Sequence, residues 1–221
     1  MFGARPTTQP NVSIVTVAEQ KSHMRLLGRD SNDADVLAYL LFAEEYVSSI
    51  TNHAFQPRQY TYTLDRPPNQ YGFRWLFGGA YGSSYGSNNA QYTNSIELPI
   101  GPLITVDTVS YKTQDPTTGA YVETVMPSTA YQVSTTQVPG RIRPVTGGYW
   151  PFSSLFALEG MTITFTAGYT TNVPQRARMA IKMLAAYQYE NREPMVNGNV
   201  VGNIPFTLKN LLNNLKESGF C

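Results

Sequence analysis

The 221-residue sequence predicts an α+β fold: a helical bundle with an inserted antiparallel β-rich subdomain and a C-terminal helix. Three observations lead to this prediction. Helical periodicity is found near the N-terminus and again at 174–192. Strand-like alternation of apolar and polar residues recurs through the region between them, 57–168. Helices grouped at the two ends and strands grouped in the middle are typical of α+β proteins.

The chain is predicted to form one domain with an insertion, divided at residues 56 and 168. Residues 1–56 hold an N-terminal arm and two helices, 57–168 form the β-rich insertion, and 169–221 hold a helix and a C-terminal segment. The first residues, 1–12, are rich in Pro and Thr and therefore predict a loose arm.

Two helices are predicted after the arm. Thr16 opens the first, because Glu19 stands three residues later and completes a capping-box pattern. The second starts near Asn32, where Asp33 and Asp35 complement the positive end of the helix dipole. A broad apolar stripe along this helix predicts that one face is buried.

The β-rich insertion contains short segments in which apolar residues alternate with polar ones, as in half-exposed antiparallel strands. The run Asp-Pro-Thr-Thr-Gly at 115–119 predicts a hairpin turn. A long stretch rich in Gly, Ser, Asn and Tyr, 66–95, predicts a surface loop. Strands are predicted at 60–64, 96–98, 105–113, 120–125, 130–134, 141–144 and 161–167.

The helix at 174–192 carries the first group of candidate interface residues. Arg176, Arg178 and Lys182 lie in its first half, where the helix dipole disfavours cations. Glu190 and Arg192 lie near its end. The cations form either a solvated basic face or a face that meets an anion or an acidic partner. A stripe of mostly small apolar residues on the same helix predicts close approach of another helix: Ala177, Ala180, Ile181, Leu184, Ala185 and Gln188.

The C-terminal segment supplies the remaining candidate interface residues. A final helix is predicted after Pro205, with leucines at helical spacing. We expect that Asp in place of Leu211 or Leu212 leaves the fold intact but stops docking to a partner. The candidate residues are Phe206, Leu208, Leu211, Leu212 and Leu215.

Composition limits the classes of function. The net charge is +1, so no global attraction to nucleic acid is expected. The single cysteine, Cys221, excludes a disulfide framework and a Cys-based zinc site within the chain. The single cysteine leads us to expect synthesis in a reducing cytoplasm, and no secretion signal or membrane-spanning run is recognised. The first 45 residues are acid-rich and 124–189 is mostly basic, which suits head-to-tail contact between copies or simple local solvation.

The residues that usually carry catalysis do not form a recognisable pattern, so no catalytic, metal-binding or cofactor-binding residue is predicted. The two histidines, His23 and His53, have no Cys or second His at ligand spacing. The adjacent residues Glu44 and Glu45 are interpreted as part of a solvated or interface face of a helix, because neighbouring helical residues do not face each other. A hydrolase that uses Asp65 or such a glutamate pair is therefore the least favoured hypothesis.

A binding module is the alternative to an assembly protein. In that hypothesis the insertion is a β-sandwich that binds carbohydrate or a receptor for a phage. Its contact loop would use the aromatic residues of 66–95, since aromatic side chains supply large contact areas: Phe73, Trp75, Phe77, Tyr81 and Tyr85.

A series of short motifs follows one another along 24–215: Ile96-Glu97-Leu98-Pro99 with Pro102-Leu103, Val106 to Tyr111, Tyr131-Gln132-Val133, Pro139-Gly140-Arg141-Ile142, Trp150-Pro151, the Ile-containing strand 161–165, Ala167-Gly168-Tyr169, Val173-Pro174, Ala180-Ile181, Leu184, Tyr189-Glu190-Asn191-Arg192-Glu193 and Ile204-Pro205 with Leu211-Leu212. In this order and spacing the chain resembles the head–tail connector proteins of tailed bacteriophages. These are also called adaptor or head-completion proteins, and the resemblance is to the branch with a β-rich insertion.

The resemblance implies a virion structural protein and not an enzyme. Its copies would form a ring, commonly dodecameric, beneath the portal protein at the head–tail interface. The ring would extend the channel used in genome packaging and ejection, and DNA would pass without sequence-specific binding. A tail, nozzle or stopper protein would dock on its other side, and residues 169–221 would reach the portal. No cofactor, metal or membrane partner is implied.

Overall fold

The computed structural model describes residues 4–7, 10–26, 32–67, 94–115, 117–151, 155, 157–191, 195–196, 199–200 and 211–213. The described residues form helices and antiparallel sheets, which confirms the predicted α+β class. They fall into two compact units. The sheet unit contains the described residues of 4–7 and 57–168, and the helical unit those of 10–56 and 169–213. That the units form one domain with an insertion stays a prediction.

The elements follow the predicted order, with three short strands added, one at the N-terminus and two after the helix predicted at 174–192. A short 3-10 turn at Ser128–Ala130 precedes the sixth strand. The elements are β1 (Ala4–Pro6), α1 (Val17–His23), α2 (Asp33–Thr51), β2 (Arg58–Leu64), β3 (Ile96–Glu97), β4 (Leu103–Gln114), β5 (Tyr121–Val125), β6 (Tyr131–Ser134), β7 (Arg141–Pro144), β8 (Met161–Ala167), α3 (Gln175–Glu190), β9 (Met195–Val196) and β10 (Asn199–Val200).

The main sheet of the sheet unit has five antiparallel strands in the order β1-β2-β8-β4-β5. Its central strand, β8, alternates strictly between apolar and threonine residues. The apolar set, Met161, Ile163, Phe165 and Ala167, is fully buried, while the threonines are half-buried. Phe165 stacks on the cross-strand residue Tyr60, with ring centroids 5.7 Å apart. The period of two in the sequence therefore defines one buried face of this sheet.

The N-terminal arm prediction was wrong for Ala4–Pro6. These residues pair with β2 and form an edge strand, and the backbone N–H of Thr7 extends the ladder by donating to Gln59 O at 2.9 Å. Pro6 is compatible with this position because an edge strand needs hydrogen-bond donors on only one side. Local composition did not reveal the strand, since its pairing partner lies about fifty residues later in the chain.

A second, three-stranded sheet in the same unit has the order β3-β7-β6. Ile142 in its central strand is fully buried. Gly140 precedes that strand and lies directly against Leu103, so that a Cβ at this position would collide with the leucine side chain. Trp150 is buried nearby in the chain, and its Nε1–H donates to Asn94 O at 2.9 Å. The close contact of Gly140 with Leu103 and the hydrogen-bonded indole of Trp150 therefore stabilise the packing around the three-stranded sheet.

The helical unit is built on α2 and α3. The capping box at the start of α1 is present as predicted, with Thr16 Oγ1 accepting from Glu19 N at 3.2 Å. The predicted stripe of α3 is buried except for Gln188, which is half-buried, and its buried residues contribute to one apolar core with α2. Small side chains allow two helices to approach closely over their length. The buried core residues are Val15, Val36, Leu40, Ala43, Val47, Phe55, Ala177, Ala180, Ile181, Leu184, Ala185 and Leu212.

Leu212 corrects one sequence-based expectation. Residues 211–213 are helical, and the Leu212 side chain is 3% exposed and packs in the core of the helical unit of its own chain. Asp at this position would therefore damage the fold, so the expectation of an intact fold was wrong for Leu212. Leu211 is half-buried. The rest of the predicted final helix, with Phe206, Leu208 and Leu215, lies outside the described residues.

We predict that Leu212→Asp lowers the free energy of unfolding by about 3–5 kcal/mol, because it removes a buried aliphatic side chain and introduces a charge in its place. Urea denaturation followed by circular dichroism measures the change. Asn213→Asp is the matched control, since Asn213 is exposed and gains the same charge. Equal stabilities of the two variants would contradict the burial of Leu212.

Candidate functional site

The basic face of α3 is partly neutralised by an acid of the same chain. Arg178 Nη2 lies 2.9 Å from Glu19 Oε1 and 3.0 Å from Oε2, and Lys182 Nζ lies 3.6 Å from Oε1. The sequence left open a solvated basic face or a face that meets an anion or an acidic partner, and it did not predict this acid of the same chain. Arg176 is exposed and has no ion pair among the described residues.

Glu19 is the residue that sequence reasoning treated only as a helix cap. The Thr16 backbone N–H donates to its carboxylate at 3.2 Å, and this bond is the largest cause that holds the pKa of Glu19 below its ordinary value of 4.5. Partial burial opposes the shift, while the positive charges of Arg178 and Lys182 add to it. One carboxylate therefore caps α1 and joins it to α3.

Glu44 has a structural role that the sequence did not reveal. It is 1% exposed and accepts hydrogen bonds from Ser13 Oγ at 2.9 Å, from Ile14 N at 3.0 Å and from Gln56 Nε2 at 2.8 Å. The interpretation of Glu44 and Glu45 as a solvated or interface pair was therefore wrong for Glu44. Only Glu45 is exposed. A buried carboxylate with three donors stabilises the local fold.

The other candidate interface residues are distributed as follows. Glu190 is exposed at the last residue of α3, and Arg192 lies outside the described residues. The candidate loop contacts of the binding-module hypothesis also lie outside the described residues: Phe73, Trp75, Phe77, Tyr81 and Tyr85. Asp65, invoked in the hydrolase hypothesis, accepts from the Glu159 backbone N–H at 2.9 Å.

The sheet unit has a groove of about 470 Å³ on the three-stranded sheet, which we call the arginine groove after Arg141 and Arg143 in its lining. Arg141 and Arg143 of β7 line it together with Gln132 and Ser134 of β6 and with Tyr149. Arg143 is paired in register with Gln132, and Arg141 with Ser134, so all four side chains share one face of the sheet. The sequence analysis did not single out this groove, although the i, i+2 spacing of the two arginines in a strand predicted a shared face.

Strand β5 is the most exposed regular element of the sheet unit. It is an edge strand, and each of its five residues is exposed. Tyr121, Val122 and Val125 are 60%, 50% and 62% exposed, although edge strands usually carry charge to discourage pairing. The sequence predicted the strand but not its place at the sheet edge, because strand order depends on long-range pairing.

The described part of the chain contains no cluster of three or more His, Cys, Asp or Glu side chains that could hold a metal ion. No helix in that part is both long and apolar enough to span a bilayer. The candidate functional features of the described residues are therefore surfaces, namely the arginine groove, the exposed Arg176 and the outer edge of β5.

Comparison with known proteins shows the fold. No protein-family model matches the chain, and no curated protein matches it. Solved structures do. A chain in the neck of an empty gene transfer agent (GTA) particle, computed with C6 symmetry, is 22% identical and has a TM-score of 0.68, with 96% of this chain and 94% of that chain covered.

Two more structures give similar values with the same coverage of 96% and 94%. A chain of the virion of the native GTA particle is 20% identical, with a TM-score of 0.61. A chain in the neck of the native GTA particle, computed with C12 symmetry, is 21% identical, with a TM-score of 0.61. The shared fold therefore extends over nearly the whole length of both chains.

We predict that Glu19→Gln lowers the free energy of unfolding at pH 7 by about 1 kcal/mol, the scale of a helix cap combined with a partly exposed ion pair. Because the pKa of Glu19 is lowered in the folded state, its contribution is complete above about pH 4.5 and is lost as the pH falls through the folded pKa. Urea denaturation at pH 7 and pH 3 tests this. A stability difference between wild type and variant that persists unchanged at pH 3 would exclude the charged interaction.

Proposed function

We propose that the chain is a structural protein of a phage-like virion and acts as a head–tail adaptor in the particle neck. In this function its copies form a ring, dodecameric in the simplest case, under the portal protein. The ring continues the DNA channel and docks the tail or a stopper or nozzle protein. The single observation that carries the proposal is the fold that the chain shares, over nearly its full length, with chains of GTA neck structures.

A ring requires two different and complementary surfaces on each copy, because a contact that joins like surfaces closes as a dimer. The predicted charge asymmetry contributes less than the sequence suggested. Glu19 is matched by Arg178 and Lys182 within the chain, and Asp33 pairs with Lys21. These ion pairs use part of the charge within one copy, so contacts between copies would combine the remaining charges with apolar and backbone contacts.

The near-neutral chain suits a channel through which DNA slides. A protein that neutralises several phosphates binds DNA with high affinity, and the binding is strongly dependent on salt. A net charge of +1 gives no such global attraction. The arginine groove on the three-stranded sheet is a local positive feature, and a ring that passes DNA would keep such a groove away from the channel wall or neutralise it with a partner.

The role of the C-terminal segment in docking to the portal belongs to this proposal. Leu211 is half-buried and remains available in part, whereas Leu212 is committed to the core of its own chain. Portal contact in this segment would therefore depend on Leu211 and on residues beyond the described ones, among them Leu208 and Leu215.

Mass measurement and electron microscopy test the proposed function. The isolated protein, alone and mixed with the portal protein encoded with it, is examined by native mass spectrometry and negative-stain imaging. We expect a closed ring of defined copy number, and we expect the chain in purified particles. A protein that stays monomeric with its portal and is absent from particles would overturn the proposal.

We predict that Arg176→Glu weakens ring assembly by about tenfold and leaves the folded subunit at least as stable. Arg176 is exposed without an ion pair among the described residues, and a carboxylate in the first turn of α3 is favoured by the helix dipole. Sedimentation velocity measures assembly, and thermal unfolding measures stability. Gln175→Glu is the control on the adjacent exposed position. Unchanged assembly of Arg176→Glu would remove this residue from the interface.

A further inference from the structure

The outer edge of β5 presents backbone groups that β4 does not use. At one end of this pair Met126 N donates to Val109 O at 2.7 Å, and at the other Asp115 N donates to Ala120 O at 2.9 Å. In an antiparallel ladder the hydrogen-bonded pairs alternate. With the observed register, Val122 and Thr124 therefore bond to β4. The N–H and C=O groups of the intervening residues point away from the sheet.

Glu123 and Val125 are two of these outward-facing residues. Their backbone groups have no hydrogen-bond partner within the described part of the chain. An unpaired row of donors and acceptors at a sheet edge is a template for another extended backbone. No helix, flat surface or small ligand satisfies such a row, so the chemistry of the edge selects an extended polypeptide.

The opposite edge of the same sheet is protected. Strand β1 is short and contains Pro6, which has no N–H to donate. Strand β5 contains no proline and no lysine, and its one charged residue is Glu123. Proteins normally protect both edges of an open sheet against unwanted pairing. Protection of one edge only indicates that the β5 edge is reserved for a contact.

The side chains of β5 define what that contact should contain. Tyr121, Glu123 and Val125 lie on one face, with the carboxylate between two exposed apolar groups. Glu123 Oε1 accepts from Ser110 Oγ at 2.7 Å, and the carboxylate keeps further acceptor sites. A neighbouring strand with a Lys or Arg opposite Glu123 and apolar residues two positions before and after it would match this face.

A second copy of β5 is a poor occupant. The antiparallel self-pairing that engages all five residues is centred on Glu123 and places the two carboxylates directly opposite each other. Like charges at opposed positions of an antiparallel pair are destabilising. Lys112 of β4 lies opposite each Glu123 and reduces this repulsion, so the edge disfavours its own copy in that register and matches a basic strand better.

We propose that β5 accepts an extended segment of a different virion protein, which adds to the five-stranded sheet as a sixth strand. The segment carries a Lys or Arg opposite Glu123 and apolar side chains against Tyr121 and Val125. This inference rests on the proposed function, since it requires a neighbouring protein in the particle. It goes beyond that function by assigning the edge and the chemistry of the segment that binds there.

Residue-resolved hydrogen exchange tests the inference on the unmodified protein. The amide exchange of Glu123 and Val125 is compared between the isolated protein and purified particles. We expect exchange at both amides to slow by at least about tenfold in particles, because each would donate to the added strand. If the protein is in particles but both amides exchange as in isolation, the inference is wrong and the proposed function stands. If the protein is absent from particles, the proposed function itself fails.

Protection of the Glu123 and Val125 amides that already develops in the isolated protein as its concentration rises would show that a second copy fills the edge, which would overturn the proposal.

Two variants at position 123 separate the contribution of the backbone N–H from that of the side-chain charge. Glu123→Ala keeps the outward N–H and loses the charge, whereas Glu123→Pro loses both but should leave the ladder to β4, which does not use that N–H.

We expect the amount of protein retained in particles to fall about threefold for Glu123→Ala and tenfold or more for Glu123→Pro. Leu158→Lys is the control, because Leu158 is an exposed apolar residue of the sheet unit outside β5. Thermal unfolding of each isolated variant checks the fold. Wild-type retention of a folded Glu123→Pro variant would overturn the proposal, and the exchange comparison decides the case if that variant does not fold.

Discussion

The helical unit depends on a meeting of segments that are far apart in the sequence. Glu19 and Arg178 bond across 159 residues, and the side chain of Gln20 donates to Lys182 O at 3.1 Å across 162. Closing so long a loop is costly in entropy. The register of the main sheet reduces this cost, because Arg58, the first residue of β2, and Ala167, the last residue of β8, are cross-strand partners. The stretch of chain between α2 and α3 therefore begins and ends at neighbouring points of this sheet.

This constraint explains which parts of the fold could be predicted from the sequence. Periodicity is a local property, so it predicted α2, α3 and β8 to within a few residues, and the capping box predicted the start of α1. Strand β1 and the burial of Leu212 depend on partners that are distant in the sequence, and local composition contains no information about them. For the same reason the predicted strands gave no strand order, and the edge position of β5 became visible only in the structure.

The candidate surfaces show the same division. The sequence showed that the cations of α3 lie where the helix dipole disfavours them, but it could not show that Glu19 pairs with both Arg178 and Lys182. It treated Glu44 as one of a surface pair, whereas three hydrogen bonds hold this carboxylate in the interior. Charges that the sequence assigned to contacts between copies are thus partly used within one copy. In the proposed assembly, the remaining charges would act together with apolar contact and backbone pairing.

Backbone pairing at an edge gives affinity without selectivity, because every non-proline residue offers the same donor and acceptor. Selectivity at β5 must therefore come from its side chains. Tyr121 and Val125 favour any apolar strand, and a purely apolar edge would also pair with copies of itself and aggregate. Glu123 prevents this outcome, since it lies at the centre of the strand where self-pairing would oppose two carboxylates. Glu123 therefore makes the β5 edge selective, because it disfavours pairing with a second copy and favours a basic strand. Strand β1 needs no such charge, because Pro6 lacks a backbone N–H to donate.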